Sequence, residues 1–369
     1  MAKPSSISIN FKDDGTTAIK RSERGNVYLI LQNADILQES ETFKVFTVLS
    51  QEDIPKGLTE DNISAVKLAL NGSYNAPSKV VLIITAVGTT DIKSEAFAYL
   101  DGSDCDYFAI PFIQGESVKS VADWVKERNN KQPMRLFKGV LPNVMADNKH
   151  VINVTNKGAA SADKKELSAG LLCALVAGMR AGCPMSFSLD NFVVKNIEYT
   201  APVSRIDAVA RVEKGEFFFN MDRGQVRVVA DVNSLTTIDK VDESYQQNKE
   251  MDIMDTLYNS LMPGIYDQYI GKFTNSYQNK LILVSAIKSL LMTFENQGLI
   301  EVGDSIVELD LQAQKVYLRG IGYKTFDGRV VDNMTDDEIL KANTKDHVFV
   351  KIRFMPLGAI RHVDILVLT

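Results

Sequence analysis

The sequence predicts a multi-domain chain of α/β and α+β class, an α/β body followed by a C-terminal α+β domain. Three observations point there. From Val27 onward, short runs rich in Val, Ile and Phe alternate with capped helical segments. Beyond Asp239 the pattern changes to two long helical segments. Strands that are apolar on only one face stand near both ends of the chain. A length of 369 residues fits two or three domains, and 45% hydrophobic with 24% charged content suits a globular chain that buries a full core.

At the start, Ile7, Ile9 and Phe11 alternate with Ser6, Ser8 and Asn10, which predicts a half-buried strand. A polar run from Lys12 to Gly25 follows and has too few apolar residues to pack, so it reads as a tether. At about 3.3 Å per residue its 14 residues reach at most roughly 46 Å. Strands are then expected at Val27 to Gln32, Phe43 to Leu49, Lys79 to Thr85, Asp106 to Pro111, Met134 to Pro142 and His150 to Thr155. Several are continuous apolar runs, as required when helices cover both faces of a sheet. Thr59 caps a helix that ends by Gly72, and Ser117 precedes one whose Val118, Val121, Trp124 and Val125 share a face.

Asp163 to Gly182 predicts a closely packed helix, because Ala169, Gly170, Ala174, Ala177, Gly178 and Ala181 leave little side chain between backbones. Two strands flank the Asp222-Arg223-Gly224 turn. Long helices are expected over Asp239 to Met262 and Ser276 to Gln297, separated by a Pro263-Gly264 break. The second places Leu281, Val284, Ile287, Leu291 and Phe294 at helical spacing and stops at Gly298. Short elements follow at Ser305 to Leu309 and Lys315 to Gly320, then a helix from Thr335 with Glu338 in capping-box register. Two closing strands set Val348, Val350, Ile352 and Phe354, then Val363, Ile365 and Val367, each on one face. The expected domains are 1–25 (strand and tether), 26–237 (α/β body), 238–358 (C-terminal domain) and 359–369 (final strand).

Charge and cysteine content narrow the function. Forty-one Lys and Arg against 47 Asp and Glu leave a net charge of −6 with no dense basic run, so nucleic acid is not an expected partner. Cys105, Cys173 and Cys183 lack metal-ligand spacing and read as reduced, buried thiols. MAKPSSISINF has no signal-peptide core, and Leu281 to Leu291 is short and broken by Ser285, Lys288 and Ser289. Neither standard export nor stable membrane association is expected. Of the three histidines, His150, His347 and His362, none has a Ser, Cys or Asp pattern that fixes a catalytic role. The glycines from Gly264 to Gly271 have the wrong spacing for a phosphate loop, and Gly320-Ile321-Gly322 lacks a third glycine. The acids from Asp332 to Glu338 lack calcium-loop register and suit a helix start instead. No cofactor, metal or catalytic residue is expected.

A half-apolar strand at a chain end must find a sheet edge, since its unpaired backbone groups invite aggregation. The pattern leaves two possibilities open: pairing within the subunit, or addition to a neighbour's sheet with Lys12 to Gly25 as the tether.

The stretch from His150 to Thr237 resembles the contractile tail sheath proteins of tailed phages and R-type bacteriocins (tailocins), particularly the short sheaths associated with Gram-positive hosts. Its carriers are Val151 to Asn156, Ala169 to Pro184, Gly215 to Phe219, Val226 to Val228 and Val232 to Thr237, the last matching a VNSLTT signature in full. Met185-Ser186 departs from the Asn that many relatives carry there. The resemblance implies a subunit of stacked six-membered rings around an inner tail tube, joined to baseplate and tail terminator proteins. It implies terminal strands donated to neighbours, which places Ile7, Ile9, Phe11, Val348, Val350, Ile352, Phe354, Val363, Ile365 and Val367 in inter-subunit sheets. The C-terminal domain would face the tube, where Lys280 and Lys288 are candidate contacts. The particle would assemble in a bacterial cytoplasm and leave by lysis. A static filament or shell built by the same exchange, and an α/β enzyme with an unrecognised site, are the alternatives.

Overall fold

The computed structural model describes residues 24–39, 41–86, 91–161, 165–195, 197–238, 242–361, 363 and 365–366. These divide into two compact units: 24–259 with 356–366, and Ser260–Met355.

The larger unit is an α/β sandwich of three layers. Its strands are β1 (Asn26–Gln32), β2 (Phe43–Val48), β3 (Lys79–Thr85), β4 (Tyr107–Ala109), β5 (Lys138–Pro142) and β6 (Val151–Val154). Short β7 (Ala159–Ala160) and β8 (Glu166–Leu167) form one hairpin, and β9 (Glu216–Phe217) is followed by the hairpin of β10 (Phe219–Asp222) and β11 (Gln225–Val228). The helices are α1 (Glu60–Leu70), α2 (Glu95–Asp101), α3 (Glu116–Asn130), α4 (Ala169–Ala181) and α5 (Arg205–Glu213). One seven-stranded sheet runs β2-β3-β1-β4-β5-β6-β9, parallel except for β2.

Alternation along β1 builds two cores. Val27, Leu29 and Leu31 pack with α1 and α4, while Tyr28 and Ile30 pack with α2 and α3. The apolar runs are thus buried on both faces, as the sequence pattern requires. Trp124 of α3 stands edge-on to Phe97 at 5.0 Å. Thr59 and Ser168 each accept a backbone N–H at the starts of α1 and α4. Close packing of α4 is literal: a Cβ on Gly170, Gly178 or Gly182 would lie 1.9 Å from the carbonyl oxygen of Pro111, Ala69 or Asn75.

The first long helical region differs from expectation. Helix α6 (Asn248–Gln268) starts nine residues after Asp239, where Asn248 bonds the backbone and carboxylate of Asp231 at 3.0 Å, and it runs through Pro263. A proline deletes one ladder N–H, and here the turns on both sides remain helical. The division between units falls inside α6 rather than at 237–238.

The unit Ser260–Met355 contains α7 (Tyr277–Asn296), β12 (Ile306–Leu309), α8 (Leu311–Gly320), α9 (Asp336–Lys341) and β13 (Val350–Arg353). Ser276 caps α7 at one end, and at the other Gly298 takes φ +63°. The Gly298 N–H reaches Glu295 and the Leu299 N–H reaches Phe294, a double C-terminal lock. Thr335 and Glu338 form the expected capping box. The Lys315 to Gly320 element is the second half of α8, a helix capped by Asp310 that buries Gln314 and Leu318.

Candidate functional site

Candidate assembly residues divide into three groups. Ile7, Ile9, Phe11 and Val367 lie outside the described residues. In the second group, β13 pairs antiparallel with β12, from Ile306↔Arg353 to Leu309↔Val350. Val350 and Ile352 are half-buried while Lys351 and Arg353 face solvent, so the expected two-sidedness is present; Val348 and Phe354 lie just beyond the strand. The pair is a sheet of two strands, and neither outer edge carries another named strand among the described residues. Two strands alone are marginal in water.

The third group is the C-terminal segment. A strand was expected from Arg361; the described residues there, Arg361, Val363, Ile365 and Leu366, are in no strand and belong to none of the named sheets. Val363, Ile365 and Leu366 are 70%, 79% and 84% exposed. The segment is nevertheless fastened at its root: Arg361 bonds Asp190 at 2.8 Å and Glu250 at 3.2 and 3.3 Å, and the Lys249 ammonium donates to the Leu357 carbonyl at 2.7 Å.

The two lysines separate. Lys280 is 2% exposed, and its ammonium donates to Thr344 Oγ1 at 2.9 Å and to the Ala342 carbonyl at 3.4 Å. Burial lowers its pKa. Its charge is held inside the unit, which corrects its reading as a surface contact. Lys288 is exposed.

The VNSLTT stretch has a clear structural task. Val232 to Ser234 are buried; Ser234 donates to the Asn148 carbonyl at 2.9 Å and Asn233 to the Tyr245 carbonyl at 2.8 Å. Thr236 and Thr237 then close on Asp147 through both backbone N–H groups and both hydroxyls, at 2.7 to 3.1 Å. Burial would raise the Asp147 pKa, yet these four donors hold it down at about 2. The motif therefore clips the β5–β6 loop, where Asp147 has φ +46°, to the segment leading into α6.

Sequence reasoning missed the most elaborate feature, a buried charge network at the amino end of the sheet. Asp252 of α6 accepts from Arg24, Arg180 and the Tyr107 hydroxyl, and from Lys138 at 2.8 Å. Asp255, one turn on, accepts from Lys138 and lies 3.0 Å from His150 Nε2. Arg180 also reaches Asp231 at 2.6 Å, and the second Arg24 guanidinium nitrogen reaches the Cys183 carbonyl at 3.1 Å. Every ionic group here is under a tenth exposed. Burial alone would raise both aspartates, but the surrounding cations outweigh it and hold Asp252 far below the carboxylate range and Asp255 at about 2. Burial pushes Tyr107 up to about 12. His150 is thereby occupied structurally. Arg24 was counted as tether, but it and Gly25, whose N–H donates to Asp106 at 2.7 Å, belong to the body. The only cue was Arg24 near the end of a polar run that also holds Lys20 and Arg21.

An open cavity of about 520 Å³ lies at the carboxyl ends of β5 and β6, lined by Asn153, Thr155, Arg211 and Glu216 among others. Two of its charged groups pair with each other, Arg211 bonding Glu216 at 2.7 Å, and Arg211 also bonds the Thr155 hydroxyl at 2.7 Å. No helix among the described residues is long and apolar enough to cross a membrane.

Comparison with known proteins follows this geometry. The family described as phage tail sheath protein central domain matches residues 85–234. Over 373 aligned residues the chain is 30% identical to a tail sheath protein of Clostridium phage phiCD119, spanning 99% of each. The helical sheath of the anti-feeding prophage in its contracted state shares the fold at TM-score 0.69 and 11% identity, over 100% of this chain and 99% of that one. A sheath tail protein from Desulfitobacterium hafniense does so at TM-score 0.64 and 18% identity, over 83% and 94%. A full-length match at this identity, together with a buried VNSLTT clip and a tightly packed α4, means that the chain belongs to the phage tail sheath protein family.

Proposed function

We propose that this chain is the structural subunit of a contractile tail sheath. Copies polymerise as stacked hexameric rings around an inner tube, and the sheath shortens and widens to drive the tube through a target cell envelope. Baseplate and tail terminator proteins bound its ends, and the finished particle, a phage tail or tailocin, forms in the bacterial cytoplasm and leaves by lysis. The observation that supports this best is the C-terminal segment: apolar and exposed at Val363, Ile365 and Leu366, with these described residues in none of the named sheets, yet fastened by Arg361. Such a segment suits donation to a neighbour's two-stranded sheet, where β12–β13 gains a third strand. The terminal strands and β13 link subunits, and bodies re-pack around links that stay closed.

Truncation after Gly358 tests the link. The shortened chain is expected to melt as a folded subunit and to form no cylinders, whereas the full chain gives cylinders in long and short forms by electron microscopy. Normal cylinders from the truncated chain would exclude donation by this segment, and cylinders of one fixed length from the full chain would exclude contraction.

Lys288, with its exposed ammonium, is the remaining candidate for a contact with an acidic tube surface. Lys288→Glu is expected to weaken co-assembly with tubes at low salt and much less at high salt, where screening is short-ranged. Co-assembly unchanged at both salt concentrations removes this lysine from the tube face.

A further inference from the structure

On the sheet face that packs with α2 and α3, register sets Leu141 of β5, Asn153 of β6 and Glu216 of β9 side by side. Leu141 belongs to the apolar core there, and beyond it the row turns polar. Asn153, Thr155 and Glu216 line the cavity of about 520 Å³ at the carboxyl ends of β5 and β6. Crevices at this end of a parallel sheet are where open α/β folds hold ligands, and the volume lies in the range of small-molecule sites. Packing explains only part of the Val151 to Asn156 stretch. Ile152 and Val154 fill the opposite core, and Asn156 holds the Phe219 backbone at 2.8 and 2.9 Å. Asn153 is left for the cavity.

Three donors in the cavity wall have no partner among the described residues. Asn153 is 1% exposed, and its Oδ1 accepts the Val144 N–H at 2.8 Å, which fixes the amide and leaves Nδ2 unbonded. Arg211 is held on three sides: by Glu216 through Nε at 2.7 Å, by Thr155 through Nη2 at 2.7 and 3.1 Å, and by the Phe218 ring 3.8 Å from the guanidinium carbon. Its Nη1 makes no bond, and Lys157 makes neither an ion pair nor a hydrogen bond. Buried donors are rarely left unmade, so this wall is complete only with an acceptor. Charge selects the kind. Arg211 and Lys157 against Glu216 leave one positive charge among the lining residues, which a carboxylate balances. A phosphate monoester carries about −1.5 to −2 and overshoots beside Glu216. Met145, Ala201, Pro202 and Val203 add an apolar part to the lining.

We propose that this cavity binds a carboxylate carried on a short aliphatic stem. Lys157, Arg211 Nη1 and Asn153 Nδ2 supply the donors, and Met145, Pro202 and Val203 receive the stem. A free organic acid and an acidic side chain of a second copy offer the same chemistry. The site stands apart from the sheath reading, since the cavity and its donors belong to one chain.

The full chain is titrated with butyrate, butyramide and inorganic phosphate by calorimetry, with thermal melting in parallel. Butyrate is expected to bind and to raise the melting temperature, and butyramide and phosphate to bind about tenfold more weakly or less. Lys157→Gln should melt as wild type without ligand and lose butyrate affinity about threefold to tenfold, which Lys157→Arg recovers. Asn153→Asp keeps an oxygen for the Val144 N–H but puts a second negative charge beside Glu216, and should abolish binding. Butyramide or phosphate binding as tightly as butyrate overturns the proposal. So does butyrate binding unchanged in both Lys157→Gln and Asn153→Asp, or no butyrate binding to wild type, which leaves water as the donors' partner. Assembly then tells the two sources apart: if saturating butyrate and Lys157→Gln both suppress it, the carboxylate is a side chain of a second copy, and if neither does, it is a free acid. Failure of the wild-type chain to assemble counts against the sheath, and the binding result still decides the site.

Discussion

Asp252→Ala is expected to destabilise the α/β unit by about 3–5 kcal/mol, the cost of leaving buried charge uncompensated. Against a total stability of about 5–15 kcal/mol this is enough to unfold a large fraction of the chain. The reason is local arithmetic of sign. Arg24, Arg180 and Lys138 converge on this carboxylate, and only Asp231 and Asp255 remain to balance them once it is gone. The same carboxylates set an acid limit. Their folded pKa values lie below 3.8, with Asp255 at about 2, so their contribution is complete above about pH 4 and is lost as pH falls towards 2. Urea midpoints for wild type and Asp252→Ala should therefore approach each other on acidification. A difference that stays constant from pH 7 to pH 3 would show that Asp252 contributes shape rather than charge.

Gly178→Ala is expected to cost about 2 kcal/mol or more, although alanine is the better helix former by about 1 kcal/mol. The added methyl would stand 1.9 Å from the Ala69 carbonyl oxygen and 2.7 Å from its carbon, and a backbone cannot rotate away as a side chain would. Helices α1 and α4 must separate, and overpacking of this kind costs about 1–3 kcal/mol, occasionally more. Gly320→Ala supplies the control, since a Cβ there meets nothing within 4 Å. Denaturant melts should show a large loss for the first and little change for the second. Equal effects at the two positions would mean that α4 does not depend on backbone contact.

What the sequence made legible was mostly local. Thr59, Thr335 with Glu338, and Gly298 mark helix ends because a cap needs only three or four neighbouring residues. The small residues of α4 announced close packing without saying against what; Pro111, Ala69 and Asn75 lie far off in the chain. Pro263-Gly264 misled because a proline's local preference yields when flanking turns are held by packing. Helix α8 was read only in part because Leu311, Gln314 and Leu318 bury one turn apart and one of them is polar, which dilutes the apolar period. Lys280 looked like surface charge because nothing nearby in sequence shows Thr344 closing over it. The charge network was invisible for the same reason: Arg24 and Asp252 are separated by 228 positions. In the assembly elements, two-sidedness along β13 was readable from alternation, whereas the lack of strand pairing at Val363, Ile365 and Leu366 was not, since pairing is a property of the whole sheet.

Arg24 and β1 together determine how the body would respond to being tugged by its N-terminal side. Strand β1 lies inside the sheet, in register with β3 over all seven residues from Asn26↔Lys79 to Gln32↔Thr85 and with β4 from Val27↔Tyr107 to Leu29↔Ala109. A pull along the strand axis strains these parallel ladders in shear, many bonds at once, rather than peeling them singly. Ahead of them the Arg24 guanidinium is hooked under Asp252, Tyr107 and two backbone carbonyls, so the ionic hook takes tension before the ladder does. The attachment point is stiff and fails late. A body held this way resists being unravelled from its N-terminal side.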